Sequence, residues 1–345
     1  MNIAPKKLAV VLFNLGGPDS PEAVRPFLRN LFSDPAIIAL PGVLRLPLAW
    51  EVARRRAPVA REIYAHMGGR SPILEETRKQ ARALESALGR EGMEAKTFIA
   101  MRYWHPFSDG AAAAVKAYAP DRIVLLPLYP QFSTTTTASS LADWHRAARK
   151  AGLSVPTSEI VCYPREPGFV AAMAAHIREA LGDADPQGWR LLLSAHGLPK
   201  RIVQKGDPYQ WQVEQSAEAV VAALAIPGLD WRVCYQSRVG PLEWIGPATD
   251  AEIRRAGAEG RNLVVAPLAF VSEHSETLVE LDIEYGKLAR QSGVPQYRRA
   301  RTVGDDPDFI AGLAGLVRRA ALEQPGPPPA GACPAGFVRC GCAGR

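Results

Sequence analysis

This sequence has no long apolar run. Nowhere does it hold the ~20 consecutive apolar residues that a membrane-spanning helix requires, so no such helix is expected. Lys6 and Lys7 precede a short apolar stretch, Leu8 to Phe13, which has the outline of a secretion signal. Asn14 and the turn Gly16-Gly17-Pro18 cut it short, and no small-residue cleavage site follows, so a cytoplasmic protein is expected. Neither G-x-G-x-x-G nor G-x-x-x-x-G-K-[ST] surrounds Gly16 and Gly17, which leaves nucleotide binding with little support. No run of Lys and Arg is interleaved with aromatics, so the formal charge of +6 is spread out and nucleic-acid binding is not expected. Cysteines are few and odd in number: of five, Cys333, Cys340 and Cys342 lie in the last thirteen positions. In a cytosolic protein such a cluster points to metal chemistry before disulfides.

At 345 residues the chain exceeds what one hydrophobic core usually serves, so two domains are expected. Short β-branched runs alternate with longer amphipathic stretches, the pattern of an α/β fold with a parallel sheet and crossover helices. Strands are predicted near Leu8 to Asn14, Thr97 to Tyr103, Ile123 to Leu128 and Glu159 to Cys162. A second set is predicted near Leu191 to Ala195, Arg232 to Tyr235, Leu263 to Phe270 and Tyr297 to Thr302. The predicted organisation is a first domain over 1–164, a second over 165–323, and a Pro-rich linker with a cysteine-bearing tail over 324–345. The runs Ile123 to Tyr129 and Leu263 to Phe270 both place Pro late in an apolar strand, which hints at duplication.

Ligands of open parallel sheets bind beyond the carboxyl ends of the strands. Those ends carry Asn14 to Pro18, Arg102 to Pro106 and Tyr129 to Thr137 in the first half, then Ser194 to Pro199, Gln236 to Pro241 and Ser272 to Glu276 in the second. Three of the six histidines, His105, His196 and His274, fall there; taken singly, His105 reads as a structural residue. Glu273, Glu276, Glu280 and Glu284 recur at helical spacing, with Leu278, Leu281, Tyr285 and Leu288 on another face. By itself this is an amphipathic helix with a solvated acidic stripe. Its position directly after an apolar strand brings it toward a site.

Seven separated segments resemble the ferrochelatase family in the family's order: Asn14 to Pro18, Arg102-Tyr103, Tyr129 to Gln131, Ser194 to His196, Gly206 to Tyr209, Tyr235 to Ser237 with Val239 to Pro241, and Glu276 to Leu278 with Glu280 to Glu284. The resemblance implies two Rossmann-like domains, each with a four-stranded parallel sheet flanked by helices, around a porphyrin cleft: the class II chelatase fold. It implies a lyase that inserts Fe²⁺ into protoporphyrin IX in haem biosynthesis. His196 corresponds to an active-site histidine, proton acceptor or metal ligand, and Glu276 to its carboxylate partner across the macrocycle. Glu280 continues the carboxylate path and His274 lies nearby; His196 and Glu276 are the implied ligands of the Fe²⁺ substrate. Leu15, Tyr103 and Trp244 resemble pocket-lining residues and Arg102 a polar partner for the porphyrin.

The chemistry accounts for these residue types. Two pyrrole N–H protons leave as iron enters, so an imidazole near its operating pKa suits the acceptor. Fe²⁺ must shed water, and carboxylate oxygens with imidazole can replace it stepwise. A pocket that holds the ring bent would lower the barrier by ground-state strain.

Residues 35–56 carry Ile37, Ile38, Leu40, Val43, Leu44, Leu46, Leu48 and Trp50 among prolines, with Arg54 to Arg56 following. Pro41, Arg45 and Pro47 speak against a span, leaving a core helix or an apolar lip on a bilayer surface. The resemblance favours the lip and peripheral contact with membrane lipid at the inner face of the cell membrane; it also admits a homodimer. Some ferrochelatases hold a [2Fe–2S] cluster on C-terminal cysteines joined by one internal cysteine. In the animal enzymes that cysteine lies in the loop matching Ser133 to Thr135, which has none here. The expected ligands are therefore Cys162, Cys333, Cys340 and Cys342, with Cys234 less suited because it sits inside a predicted buried strand. A zinc site or free thiols are the alternative for the tail. For the whole chain the alternatives are a coproporphyrin III ferrochelatase, a cobalt or nickel chelatase, and a non-catalytic haem-binding or iron–sulfur sensor protein.

Overall fold

The computed structural model describes residues 7–238, 240, 242–322 and 333–342. They divide into two compact units. The first runs to Cys162 and also takes the C-terminal helix from Leu313 onward, with Gly341 and Cys342; the second comprises Tyr163–Gly312 and Cys333–Cys340. This division falls two residues before the expected boundary. It also splits the last helix, which the sequence reading had placed wholly in the second domain.

In the first unit the elements are β1 (Leu8–Asn14), α1 (Val24–Phe32), α2 (Gly42–Ala65), α3 (Ile73–Arg90), β2 (Ala95–Met101), α4 (Ser108–Tyr118), β3 (Arg122–Pro127), α5 (Thr137–Ala151) and β4 (Thr157–Glu159). The strands form one parallel sheet in the order β2-β1-β3-β4. β1 is buried at every position, as expected of a central strand covered on both faces. In the second unit follow α6 (Pro167–Leu181), β5 (Trp189–His196), α7 (Lys200–Gln204), α8 (Tyr209–Leu224), β6 (Asp230–Gln236), α9 (Thr249–Ala258), β7 (Asn262–Pro267), a π-helix (Glu276–Tyr285), α10 (Gly286–Gln291), β8 (Tyr297–Arg299) and α11 (Pro307–Leu322). Its strands are again all parallel, in the order β6-β5-β7-β8.

The two sheets repeat one topology, and β3 and β7, which suggested duplication, hold equivalent places beside the central strand. Their prolines end them for one reason. Leu128 N–H donates to Phe13 O and Leu268 N–H to Ser194 O, so the preceding Pro127 and Pro267 would each aim an N–H the other way. On that side β4 and β8 have already stopped, paired with Leu125 and Val265. Ile160 N–H and Ala300 N–H still donate to Leu125 O and Val265 O just past those ends, and a proline, with no N–H to give back, closes each ladder there. For the same reason β7 ends at Pro267 and not at Phe270, where the apolar run ends.

α2 contains two prolines, Pro47 and Pro58, without ending at either. Ala49, Ala53 and Ala57 form a buried small-residue face, and Ala53 and Ala57 pack in the first unit's core with Val24, Phe27 and Leu28 of α1. Val43, Leu44, Leu46 and Trp50 are exposed, Val43 at 81 %. The segment is thus not a core helix. No helix among the described residues is long and apolar enough to cross a membrane.

Candidate active site

Parallel register brings the chemistry of the second unit to one sheet edge. His196 is the last residue of β5 and pairs with Gln236, the last of β6. Beyond β7 the chain turns through Ser272 and His274 into the π-helix, whose first residue is Glu276. The Nδ1 of His196 lies 2.9 Å from Oε2 of Glu276. Gln236 braces both acids, its Nε2 donating to Glu276 O (2.9 Å) and to Glu280 Oε2 (3.1 Å). Ser237 takes a left-handed φ of 59°, unusual for a residue with a Cβ, and so turns its N–H (2.8 Å) and its hydroxyl (2.5 Å) onto the Glu280 carboxylate. Tyr209 at the start of α8 donates its phenol to the His196 carbonyl at 3.1 Å.

The charges follow from these contacts. Burial disfavours a charge on His196, but the charge and hydrogen bond of Glu276, with the charge of Glu280, outweigh it and raise its pKa. Burial likewise opposes charge on Glu276, yet the charge and hydrogen bond of His196, together with the His274 charge, hold that carboxyl well below its usual range. Glu276 is therefore an acceptor, Nδ1–H donates to it, and Nε2 of the neutral His196 keeps a free lone pair. Glu280 moves the other way: burial, then the Glu276 charge, raise its pKa against the donors from Ser237 and Gln236. Two carboxyls one helical step apart are thus separated into an ionised and a protonatable one, the arrangement that assigns acid and base roles. His274 is buried, and this lowers its pKa despite Glu276. Its Nδ1 lies 3.0 Å from Ser272 O, a carbonyl that can only accept, so the neutral ring presents Nε2 as acceptor, 3.9 Å from Glu276 Oε2.

One expectation is corrected by this geometry. The resemblance implies that Glu276, with Glu280 continuing its path, opposes His196 across the macrocycle. At 2.9 Å, His196 and Glu276 touch, and no ring fits between them. The acidic stripe also divides. Glu276 and Glu280 are half-buried in the site, Glu284 is exposed, and Glu273 is tied to Arg299 (2.9 Å) and the Thr302 N–H (3.0 Å), where it anchors the loop to β8. The π-helix, a form that recurs at functional sites, holds this stripe where an α-helix was expected. Trp244 bridges to Pro199 and packs beside Gly197, where an added Cβ would lie 3.3 Å from its ring and 2.9 Å from Gln236 O.

In the first unit Leu15, Arg102 and Tyr103 come together beyond β1 and β2. Tyr103 N–H donates to Leu15 O at 3.0 Å, and Arg102 N–H to Asn14 O at 2.9 Å. Tyr103 is fully buried with Leu15, Trp104 and Ile37 about it, so its ring supports this surface from beneath. Gly16, at φ 84°, leaves room for Met101 and Trp104, and Gly17 for Ser71; a cradle for phosphate is not needed to explain them. His105 packs edge-on against Trp104 and Phe107, a structural role.

Of the cysteines, Cys333 and Cys340 are brought together with sulfurs 3.4 Å apart, and Gln212 Nε2 contacts Cys333 at 3.1 Å. The tail segment docks where Arg339 N–H donates to Gly206 O and Phe337 packs on Trp211. Cys234 is buried in β6, and burial pushes its thiol up to about 12, which removes it as a ready thiolate. No group of three or more His, Cys, Asp or Glu side chains among the described residues is placed to hold a metal ion.

The family model described as Ferrochelatase matches residues 7–321. A ferrochelatase from Phenylobacterium zucineum is 57 % identical over 341 residues, covering 97 % of this chain and 98 % of the relative. One from Caulobacter vibrioides is 55 % identical over 343 residues, covering 98 % of each. The chain belongs to the ferrochelatase family. The fold agrees: the solved structure of SirB from Bacillus subtilis with Fe³⁺ aligns with a TM-score of 0.55 over 91 % of this chain and 96 % of that one, at 14 % identity. For this ferrochelatase-family chain, sequence reading missed Gln236, Ser237 and Tyr209 as individual residues. The runs Tyr235 to Ser237 and Gly206 to Tyr209 carried that signal, but it stood in the motifs with no role attached.

Proposed function

We propose that this member of the ferrochelatase family inserts Fe²⁺ into protoporphyrin IX, forming protohaem in haem biosynthesis. Ferrous iron and a porphyrin are the substrates; protoporphyrin IX as the ring is the finer part of the reading. The observation that carries it is the contact of His196 Nδ1 with Glu276 beside Glu280. As Fe²⁺ forms bonds to the four ring nitrogens, two N–H bonds break and two protons leave. Nε2 of His196 takes the two protons one after the other, Glu276 stabilises the imidazolium formed each time, and Glu280, with its raised pKa, passes the first proton on toward solvent before the second is taken. Glu276 and His274 are the groups that would exchange water for protein ligands on the incoming ion. Leu15, Trp244, Tyr103 and Arg102 serve the ring. Anaerobic turnover of Fe²⁺ with protoporphyrin IX, followed by absorbance beside coproporphyrin III, tests the reading. Higher kcat/KM with coproporphyrin III would move the substrate, and haem binding without turnover would remove the enzyme.

Two further parts belong to the proposal. The exposed Val43, Leu44, Leu46 and Trp50 of α2, followed by Arg54 to Arg56, suit a surface resting on the cytoplasmic face of a membrane, through which porphyrins would arrive. The tail cysteines suit a [2Fe–2S] cluster. A sulfur separation of 3.4 Å in Cys333 and Cys340 is too long for a disulfide, whose bond is about 2.05 Å, and near the ~3.8 Å expected of two thiolates at ~2.3 Å from one tetrahedral ion. The fit extends to these two thiols; Cys162 and Cys342 are proposed as the others on the sequence pattern alone.

A further inference from the structure

Asp34 lies between α1 and α2, in none of the seven motif segments named above, and its side chain is almost wholly buried. A buried carboxylate is costly unless its oxygens are satisfied. Here they are saturated. Oδ2 accepts from Tyr103 Oη at 2.8 Å, Arg102 Nη2 at 2.7 Å and Ser139 Oγ at 2.5 Å, while Oδ1 accepts the Ala36 N–H at 2.8 Å. Ser139 Oγ in turn accepts from Arg102 Nε at 2.7 Å. One carboxylate thus joins the end of β2, the start of α5 and the first residues of the apolar segment.

The consequence falls on Arg102. Its Nε and Nη2 are taken by Ser139 and Asp34, its guanidinium lies over the Tyr103 ring at 5.0 Å, and Nη1 has no hydrogen-bond partner among the described residues. Arg102 is also partly exposed, at 21 %, whereas Asp34 and Tyr103 are not. A guanidinium gripped along one edge, with a single nitrogen left at the surface, is pre-oriented to receive a carboxylate. We infer that Asp34 is a positioning residue that aims Arg102 Nη1 at a carboxylate of the porphyrin, so that the ring is held by its acidic side chain. This rests on the reading that the chain binds a porphyrin.

The test compares the wild-type protein with D34N in equilibrium titration, by fluorescence quenching, against protoporphyrin IX and its dimethyl ester, which keeps the ring and lacks free carboxylates. The wild type should prefer the free acid, and D34N should lose about tenfold in affinity for the free acid, the scale of one charge-assisted hydrogen bond. Its affinity for the ester should change by less than about threefold. S139A, which removes only the hydroxyl bridging Nε and Oδ2, should move the same ratio and decides the matter if D34N does not yield folded protein. Equal losses for acid and ester would mean that Asp34 is merely structural and overturn the inference. So would a wild type that binds acid and ester alike, while leaving chelatase activity intact. A wild type that binds neither ring would sink the porphyrin reading itself, and the inference with it.

Discussion

The imidazole of His196 and the carboxylate of Glu276 are in direct contact, 2.9 Å apart, at the carboxyl edge of one sheet. Each stabilises the charged form of the other, yet Nε2 of His196 stays available. On the proposed mechanism the pair works as a base whose strength is set by its neighbour.

Replacing His196 with Ala removes the acceptor and should lower turnover by at least ~100-fold, the usual contribution of a positioned base. Glu276→Gln keeps the shape and removes the charge that supports the imidazolium, and turnover should fall comparably. Circular dichroism should show both variants folded. Wild-type turnover in either would take that residue out of the mechanism.

The pH profile separates the two roles. His196 must start neutral to accept a proton, and its folded pKa is raised above 6.5, so kcat/KM should fall as pH drops through a value above 6.5. In Glu276→Gln the larger raising influence is gone, while burial and the weaker influence of the Glu280 charge remain, so the residual activity should show its acidic limb at lower pH. An unmoved limb would mean that another group titrates.

Glu280 is held by Ser237 and Gln236, and its raised pKa suits it to relay protons. Glu280→Gln retains acceptor capacity for the Ser237 donors but cannot ionise. A drop in kcat on the order of tenfold with little change in porphyrin KM is expected, and steady-state kinetics checks the split.

Gly197 carries the chain away from His196 with no space for a side chain, since a Cβ would lie 2.9 Å from Gln236 O. Gly197→Ala should cost about 1–3 kcal/mol, as overpacking does, and displace Trp244. Denaturant unfolding gives the first quantity and tryptophan fluorescence the second; an unchanged midpoint would contradict the close packing.

For the tail, Cys333→Ser or Cys340→Ser should abolish the visible absorbance of a [2Fe–2S] cluster, and Cys234→Ser should leave it, because Cys234 lies buried within β6. For the lip, Leu44→Glu should weaken sedimentation with anionic vesicles without lowering Tm, as the side chain is 59 % exposed. A cluster spectrum unaffected by the tail substitutions, or vesicle binding unaffected by Leu44→Glu, would remove that part of the proposal.

The chain's own residues determined the alternation of strand and helix, the repeated order of elements and the placing of His196 and Glu276 near strand ends, since these depend on local apolar periodicity and on motifs contiguous along the chain. Tertiary structure decided what depends on distance through space. It put His196 and Glu276 side by side, wound Glu276 to Tyr285 as a π-helix, left the leucines of α2 exposed and set Asp34 against Arg102 and Tyr103, some seventy positions away. Periodicity records which face of an element is apolar, but a pKa or a hydrogen bond is set by whichever groups other segments bring within a few ångströms. Only the folded chain specifies those.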